Sequence, residues 1–120
     1  MEYVEIILKL IVGLSVLNVW LLRAGKSTPW RGGSANNMKE EFAAYGLPAW
    51  FMPVIGILKV LLSIGLIASL WYPALELYSA GGIGVLMLGA VTMHIKVSDP
   101  LKKSFPAALF LLLCIVIILL

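Results

Sequence analysis

The sequence has few charged residues, one cysteine and one histidine. Charged residues account for 12% of the 120 residues, about half the share usual in soluble domains. The lone cysteine, Cys114, excludes an internal disulfide, a CxxC redox pair and a cysteine zinc site, and its apolar neighbours suppress the reactive thiolate. The lone histidine, His94, has no carboxylates at ligand spacing. The sequence therefore predicts neither thiol chemistry nor a metal centre.

Long apolar runs dominate the chain instead. Hydrophobic residues make up 62% of it, and the mean hydropathy is +1.04. A soluble fold could not bury this much apolar surface, so we predict an all-α membrane protein with a single membrane domain, residues 1–120. The net charge of +3 comes from residues that flank apolar runs. This placement favours the lipid bilayer as the partner and argues against nucleic acid.

Four apolar runs predict four transmembrane helices and hence a four-transmembrane-helix bundle. The runs cover residues 3–22, 50–72, 73–95 and 105–120. The last run has 16 residues and would form about 24 Å of helix. That length is short of the roughly 30 Å hydrocarbon core, so the fourth helix is expected to thin the bilayer, to pack against its neighbours, or to belong to a chain trimmed at its C-terminus.

Basic residues predict the orientation of the bundle. They lie in the first-to-second and third-to-fourth connections: Arg23, Lys26, Arg31, Lys39, Lys96, Lys102 and Lys103. The other side has no basic residue outside the spans. The positive-inside rule then places both basic loops in the cytoplasm and both termini outside. The expected location is a cell membrane, of the bacterial inner-membrane type.

The first loop contains the signals of a short helix. Asn36 or Asn37 can cap its start and Gly46 its end, so we predict an interfacial helix over residues 37–46. Two interpretations stay open: an amphipathic connector lying on the membrane, or a lid over a cavity. The lid would comprise Trp30, Glu40, Glu41, Phe42, Tyr45 and Trp50.

Lys59 lies near the middle of the second apolar run, where a charge costs roughly 2.5–3.5 kcal/mol. Gly56, Lys59 and Ser63 share one helix face. This face is therefore expected to point at the bundle interior, a wet cavity or a partner. No carboxylate lies at the same depth, so Lys59 contacts carbonyls, hydroxyls, water or a ligand, or it bends outward to Glu76.

Other polar residues in the spans have open interpretations. Glu5 and Lys9 are four residues apart and can pair, and Glu76 is a first-turn acid or the partner of a lysine. Asn18 forms an interhelical hydrogen bond or contacts a ligand. The ligand-binding hypothesis comprises Lys59, Ser63, Asn18, His94 and Glu76. No residue is assigned a catalytic role.

Short motifs spread over nearly the whole chain carry a family resemblance. They are Asn18-Val-Trp-Leu-Leu-Arg23, Thr28-Pro-Trp-Arg-Gly-Gly33, Met38-Lys-Glu-Glu-Phe-Ala-Ala-Tyr-Gly-Leu-Pro48, Gly56-Ile-Leu-Lys-Val60, His94 and Asp99-Pro100. With these motifs the sequence resembles the DoxX-like family of small four-span membrane proteins. The resemblance implies a four-helix bundle related to a quinone-reducing thiosulfate oxidation subunit and to chaperone-like membrane proteins. Many relatives are acidic at the second-span position that is Lys59 here.

Several function classes remain open on this basis. The favoured hypothesis is a polar-lined cavity that binds a lipophilic small molecule, a quinone or a lipid, with quinone as the candidate cofactor. The alternative is an interaction or chaperone-like protein whose intramembrane polar residues hold a partner span or another copy of the chain. A small transporter is a weaker alternative, because four helices leave little room for a two-state pathway. Enzymatic activity is undecided.

Overall fold

A computed structural model describes residues 2–26 and 31–120 of the chain, and the described part is helical, without strands. Four long helices are long and apolar enough to cross a membrane. The helices are α1 (Glu2–Leu21), the short α2 (Met38–Ala44), α3 (Phe51–Ala68), α4 (Glu76–Lys96) and α5 (Leu101–Leu119), with a 3₁₀ turn at Pro73–Leu75 before α4. The predicted all-α class with four membrane-spanning helices is confirmed.

The four long helices form a closed bundle in which each packs on two neighbours. Helix α1 packs on α3, α3 on α4, α4 on α5, and α5 returns to α1. Their shared core is apolar: Val12, Val16, Leu66, Ala80, Ile83, Met87, Ala107, Cys114 and Ile117. Large apolar side chains such as Ile57 and Leu61 of α3 are exposed on the outer surface. An apolar exterior of this kind suits hydrocarbon rather than water as the surrounding solvent.

Glycines allow the helices to approach closely. A Cβ atom on Gly56 would lie 2.8 Å from the indole ring of Trp20, and one on Gly65 would lie 2.6 Å from the hydroxyl oxygen of Ser79. A side chain at either position would displace its neighbour, so these glycines permit the close contacts of α1 with α3 and of α3 with α4. Small residues at helix interfaces serve this purpose widely in membrane proteins.

Two helix ends differ from the predicted spans. Helix α3 ends at Ala68 rather than at 72, and Tyr72 leaves the helical region with φ −123° and ψ 81° because it precedes Pro73. Helix α5 begins at Leu101 rather than at 105, after Pro100 in an extended conformation. Its 19 residues form about 28 Å of helix, so this span is not as short as the sequence indicated.

Helix α2 lies over the loop end of the bundle with one face buried. The side chain of Asn37 caps it by accepting a hydrogen bond from the Glu40 N–H at 2.8 Å, as predicted for Asn36 or Asn37. Gly46, with φ +77°, follows its end, in the left-handed conformation that commonly stops a helix. Met38 and Phe42 are buried against the bundle. Helix α2 thus spans Met38–Ala44, inside the predicted range.

Candidate ligand-binding cavity

A cavity of about 570 Å³ lies between the long helices beneath α2, within the range of roughly 300–1,000 Å³ typical of small-molecule sites. Most of its wall is apolar and comes from all five helices and the segment after α2. The apolar lining is Val16, Val19, Trp20, Met38, Phe42, Leu47, Phe51, Ile55, Val85, Leu86, Met87, Gly89, Ala90, Met93, Pro106, Ala107 and Phe110. The polar lining is Ser15, Arg23, Arg31, Glu41, Tyr45, Lys59, His94 and Lys103.

Lys59 is the polar group that α3 contributes to this cavity. Its ammonium nitrogen lies 5.4 Å from the centre of the Trp20 ring, a cation–π distance. No carboxylate oxygen of the described residues lies within 4.0 Å of it. The Ser63 hydroxyl donates to the Lys59 carbonyl oxygen at 2.7 Å, so Ser63 bonds to the helix backbone.

An aromatic cluster holds Trp20 beside Lys59. The ring packs on Gly56 and meets Phe42 edge-on, with ring centres 6.1 Å apart. Phe42 also contacts Phe51, with centres 6.2 Å apart. The edge-to-face contact of Trp20 with Phe42 is a favoured geometry for aromatic pairs. The cluster therefore ties α2 to the cavity wall.

A chain of hydrogen bonds forms the polar end of the cavity. The Tyr45 hydroxyl donates to Glu41 Oε1 at 2.7 Å and lies 3.4 Å from His94 Nε2. His94 Nδ1 lies 2.8 Å from Asp99 Oδ2. A carboxylate only accepts hydrogen bonds, so His94 Nδ1 donates to Asp99. The Tyr45 hydroxyl contacts the other ring nitrogen of His94.

Two groups in this series of hydrogen bonds, Tyr45 and Asp99, have shifted pKa values. Burial and the negative charge and hydrogen-bonded carboxylate of Glu41 raise the pKa of Tyr45, so its hydroxyl keeps its proton. Burial alone would raise the pKa of Asp99, but hydrogen bonds from His94 and from the Gly33 N–H outweigh it and lower that pKa. Asp99 is thus held as a carboxylate facing His94. The turn that places it there passes through Ser98, whose φ is +59°.

Arg31 fixes the loop between α1 and α2. It is 5% exposed, and its guanidinium donates to Glu41 Oε2 at 3.0 Å and to the carbonyl oxygens of Arg23 at 2.7 Å and Lys26 at 3.0 Å. These carbonyls follow the end of α1, where the helix leaves acceptors without partners. Arg31 therefore joins the end of α1 to α2.

The structure brings together some of the predicted ligand contacts and separates others. Lys59 and His94 both line the cavity. Ser63 is buried behind Lys59, and Asn18 is exposed on the outer face of α1. Glu76 lies in another cluster, with its Oε1 3.0 Å from the ammonium nitrogen of Lys9. These three residues do not line the cavity.

Some of the predicted lid residues line the cavity and others do not. Glu41, Phe42 and Tyr45 line the cavity, whereas Glu40 is exposed and hydrogen-bonds the side chain of Asn37 at 2.8 Å. Trp50 is 65% exposed and packs on Phe51. Trp30 lies outside the described residues.

The predicted pairing of Glu5 with Lys9 is confirmed at 3.3 Å. Of the two lysines considered as partners for Glu76, Lys9 makes the contact. Lys9 is 3% exposed. Its ammonium group bridges a carboxylate of α1 and a carboxylate of α4. Lys59 pairs with no carboxylate within 4.0 Å among the described residues, and its side chain lines the cavity.

Three of the cavity residues that were not identified from the sequence are Trp20, Arg31 and Lys103. Trp20 and Arg31 occur in the motifs that carry the family resemblance, and that was the available signal. The role of Lys103, which donates to the Gly33 carbonyl oxygen, depends on a contact 70 residues apart along the chain. Within residues 2–26 and 31–120, no group of three histidine, cysteine or acidic side chains could hold a metal ion.

These features define a small multi-pass membrane protein with an internal, mostly apolar cavity. The sequence profile of the DoxX-like family matches residues 27–117, which is well over half of the chain, and the protein belongs to the DoxX-like family. No curated protein and no solved structure matches the chain.

Proposed function

We propose that this protein binds a lipophilic small molecule, a quinone or a lipid, in the cavity beneath α2. The observation that carries the proposal is the division of the cavity wall. Most of it is apolar, while its polar side chains include the hydrogen-bonded group formed by Glu41, Tyr45 and His94. Apolar walls with a few placed polar groups are typical of sites that orient a small ligand.

The bundle also supports a route for such a ligand. The cavity is only partly enclosed, and the outer faces of the helices suit a bilayer in which a lipophile concentrates. Helix α2 covers one side through Met38 and Phe42. We propose that the loop end of the bundle faces the cytoplasm and that both termini lie on the opposite side, because the basic loops gather at this end.

Orientation can be measured with a thiol probe. In a Cys114→Ala background, Ser34→Cys places a thiol at an exposed loop position. We expect a membrane-impermeant maleimide to label it only after the cells are opened. Labelling of intact cells would overturn the proposed orientation, and a thiol at exposed Tyr72, at the other end, is the matched control.

Two glycines of α4 give a matched pair of variants for the binding proposal. Gly89 lines the cavity and Gly81 does not, and a Cβ atom at either meets nothing within 4 Å. We expect Gly89→Trp to reduce the amount of co-purifying lipophile, because its side chain takes up cavity space or narrows the opening. Gly81→Trp should retain the wild-type amount.

The measurement is mass spectrometry of small molecules extracted from the purified protein, per mole of protein. Equal lipophile content in both variants would place the bound molecule elsewhere on the protein. A wild-type protein that neither carries a lipophile nor takes up an added quinone or lipid would overturn the proposal.

A role in holding a partner span has less support. That role needs polar side chains on the outer surface of the bundle. Among the predicted ligand contacts, only Asn18 is exposed there, and it lies in the last turn of α1, close to the membrane boundary. Lys59 and His94 instead line the cavity.

A further inference from the structure

We infer that the cavity selects an anionic amphiphile, a hydrocarbon chain with a carboxylate or phosphate head that pairs with Lys59. This inference rests on the proposed function and narrows its ligand class. It follows from the balance of charges in the cavity wall and from the position of Lys59 within it.

The carboxylates near the cavity are already engaged. Glu41 accepts hydrogen bonds from Arg31 at 3.0 Å and from Tyr45 at 2.7 Å. Asp99 accepts from His94 and from the Gly33 N–H, and Lys103 lies 3.9 Å from it. Neither carboxylate pairs with Lys59, and no other acidic side chain of the described residues lies within 4.0 Å of its ammonium nitrogen.

Two lining cations lie more than 4.0 Å from every carboxylate of the described residues, Arg23 and Lys59. Arg23 is exposed at the end of α1, where water can solvate it. Lys59 lies eight residues inside α3, which begins at Phe51, or about 12 Å along the helix. A cation at this depth is favoured by a partner of opposite charge.

Trp20 leaves room for that partner. The ring contacts the ammonium group through its face, at 5.4 Å from the ring centre, and supplies no acceptor atom. An ammonium group has three donor hydrogens, and a carboxylate or phosphate oxygen accepts them with charge assistance. A neutral carbonyl, as in a quinone, would accept a hydrogen bond but leave the charge unbalanced.

The apolar wall accounts for the rest of the ligand. Val85, Leu86, Met87 and Phe110, from α4 and α5, line the same cavity. Apolar side chains of this kind suit a hydrocarbon chain, because polar groups placed against them would lose their hydrogen-bond partners. A head at Lys59 and a chain against α4 and α5 together define an amphiphile.

Matched pairs of ligands test the charge preference. Delipidated protein in a neutral detergent near neutral pH is titrated with palmitate and with methyl palmitate, and separately with phosphatidic acid and with diacylglycerol. Each pair shares its hydrocarbon and differs in head charge. We expect the anion to bind about tenfold to a hundredfold more tightly in at least one pair. The pair that shows the difference distinguishes a free fatty acid from a membrane phospholipid.

Variants at Lys59 tie the preference to this residue. Lys59→Met should bring the anion and its neutral analogue to equal affinity, whereas Lys59→Arg should keep the preference. Unfolding temperatures measured in parallel show that the variants are folded, and Lys59→Gln serves if the methionine variant is not.

The outcomes separate the two proposals. Equal binding of anions and neutral analogues by the wild type, or a preference that survives Lys59→Met, overturns the anionic head while leaving lipophile binding intact. Failure of all four ligands and of an added quinone to bind overturns both.

Discussion

Arg31→Met should destabilise the folded protein by about 3–5 kcal/mol, the range seen when one partner of a buried ion pair is removed. The variant leaves Glu41 without its cation, in a pair whose side chains are 6% and 13% exposed. It also removes donors from the carbonyl oxygens of Arg23 and Lys26, which accept from Arg31. Thermal unfolding in detergent measures the loss.

Arg31→Lys should recover little of this stability, although it keeps the positive charge. One ammonium group cannot span the positions that the planar guanidinium reaches, with Nε and both terminal nitrogens each donating. Arginine and lysine are not equivalent at such sites. The control is Lys26→Gln, at an exposed side chain in the same loop, which should change the free energy of unfolding by less than about 0.5 kcal/mol. A lysine variant as stable as wild type would show that the multiple contacts of Arg31 contribute little.

The spans could be predicted from the sequence because each is an apolar run of sufficient length. The start of α5 could not, since Lys102 and Lys103 interrupt the apolar run although lysine is a good helix former. The structure also accommodates Pro106 near the start of α5, where its missing N–H removes only one helical hydrogen bond. The lysines precede the apolar part of the helix and belong to its polar end.

The residues of the cavity could be predicted only in part, because some of their contacts depend on how the loops fold. Lys59 could be identified as a candidate site residue because a charge within an apolar run has few explanations. Arg31 did not, because a basic residue in a loop also satisfies the positive-inside rule. Its burial depends on how the loop folds against α2. The Asp99–His94 contact likewise depends on the turn at Ser98, whose left-handed backbone is uncommon for a residue with a side chain.

Which polar residues of the spans meet depends on which face of each helix turns inward. Asn18 and Lys59 were placed in one ligand hypothesis, yet Asn18 is exposed on α1. The face of α1 that turns inward is set by Val12 and Val16, which are buried in the core. Lys9 and Val16 are seven residues apart and lie on this same face, which explains why Lys9 is buried and Asn18 is not.

Lys9→Met should also destabilise the bundle by about 3–5 kcal/mol. Lys9 is 3% exposed and lies 3.3 Å from Glu5 and 3.0 Å from Glu76, so its loss leaves two carboxylates facing each other without a cation. Like charges on neighbouring carboxylates repel each other. Unfolding in detergent should show a lower midpoint for Lys9→Met than for Glu5→Gln, because Glu5 is 34% exposed and can be solvated.

A double variant separates the charge from the packing of the lysine stem. In Lys9→Met/Glu76→Gln, methionine keeps much of the apolar stem, and glutamine removes the carboxylate that would otherwise be left without a partner. We expect the double variant to recover more than half of the stability lost in Lys9→Met, since replacing a buried ion pair by neutral groups of similar volume is often nearly neutral. If it is as unstable as the single variant, the contribution of Lys9 is one of shape rather than charge. Lys9 of α1 would then act through its shape, whereas the proposed role of Lys59 of α3 depends on its charge.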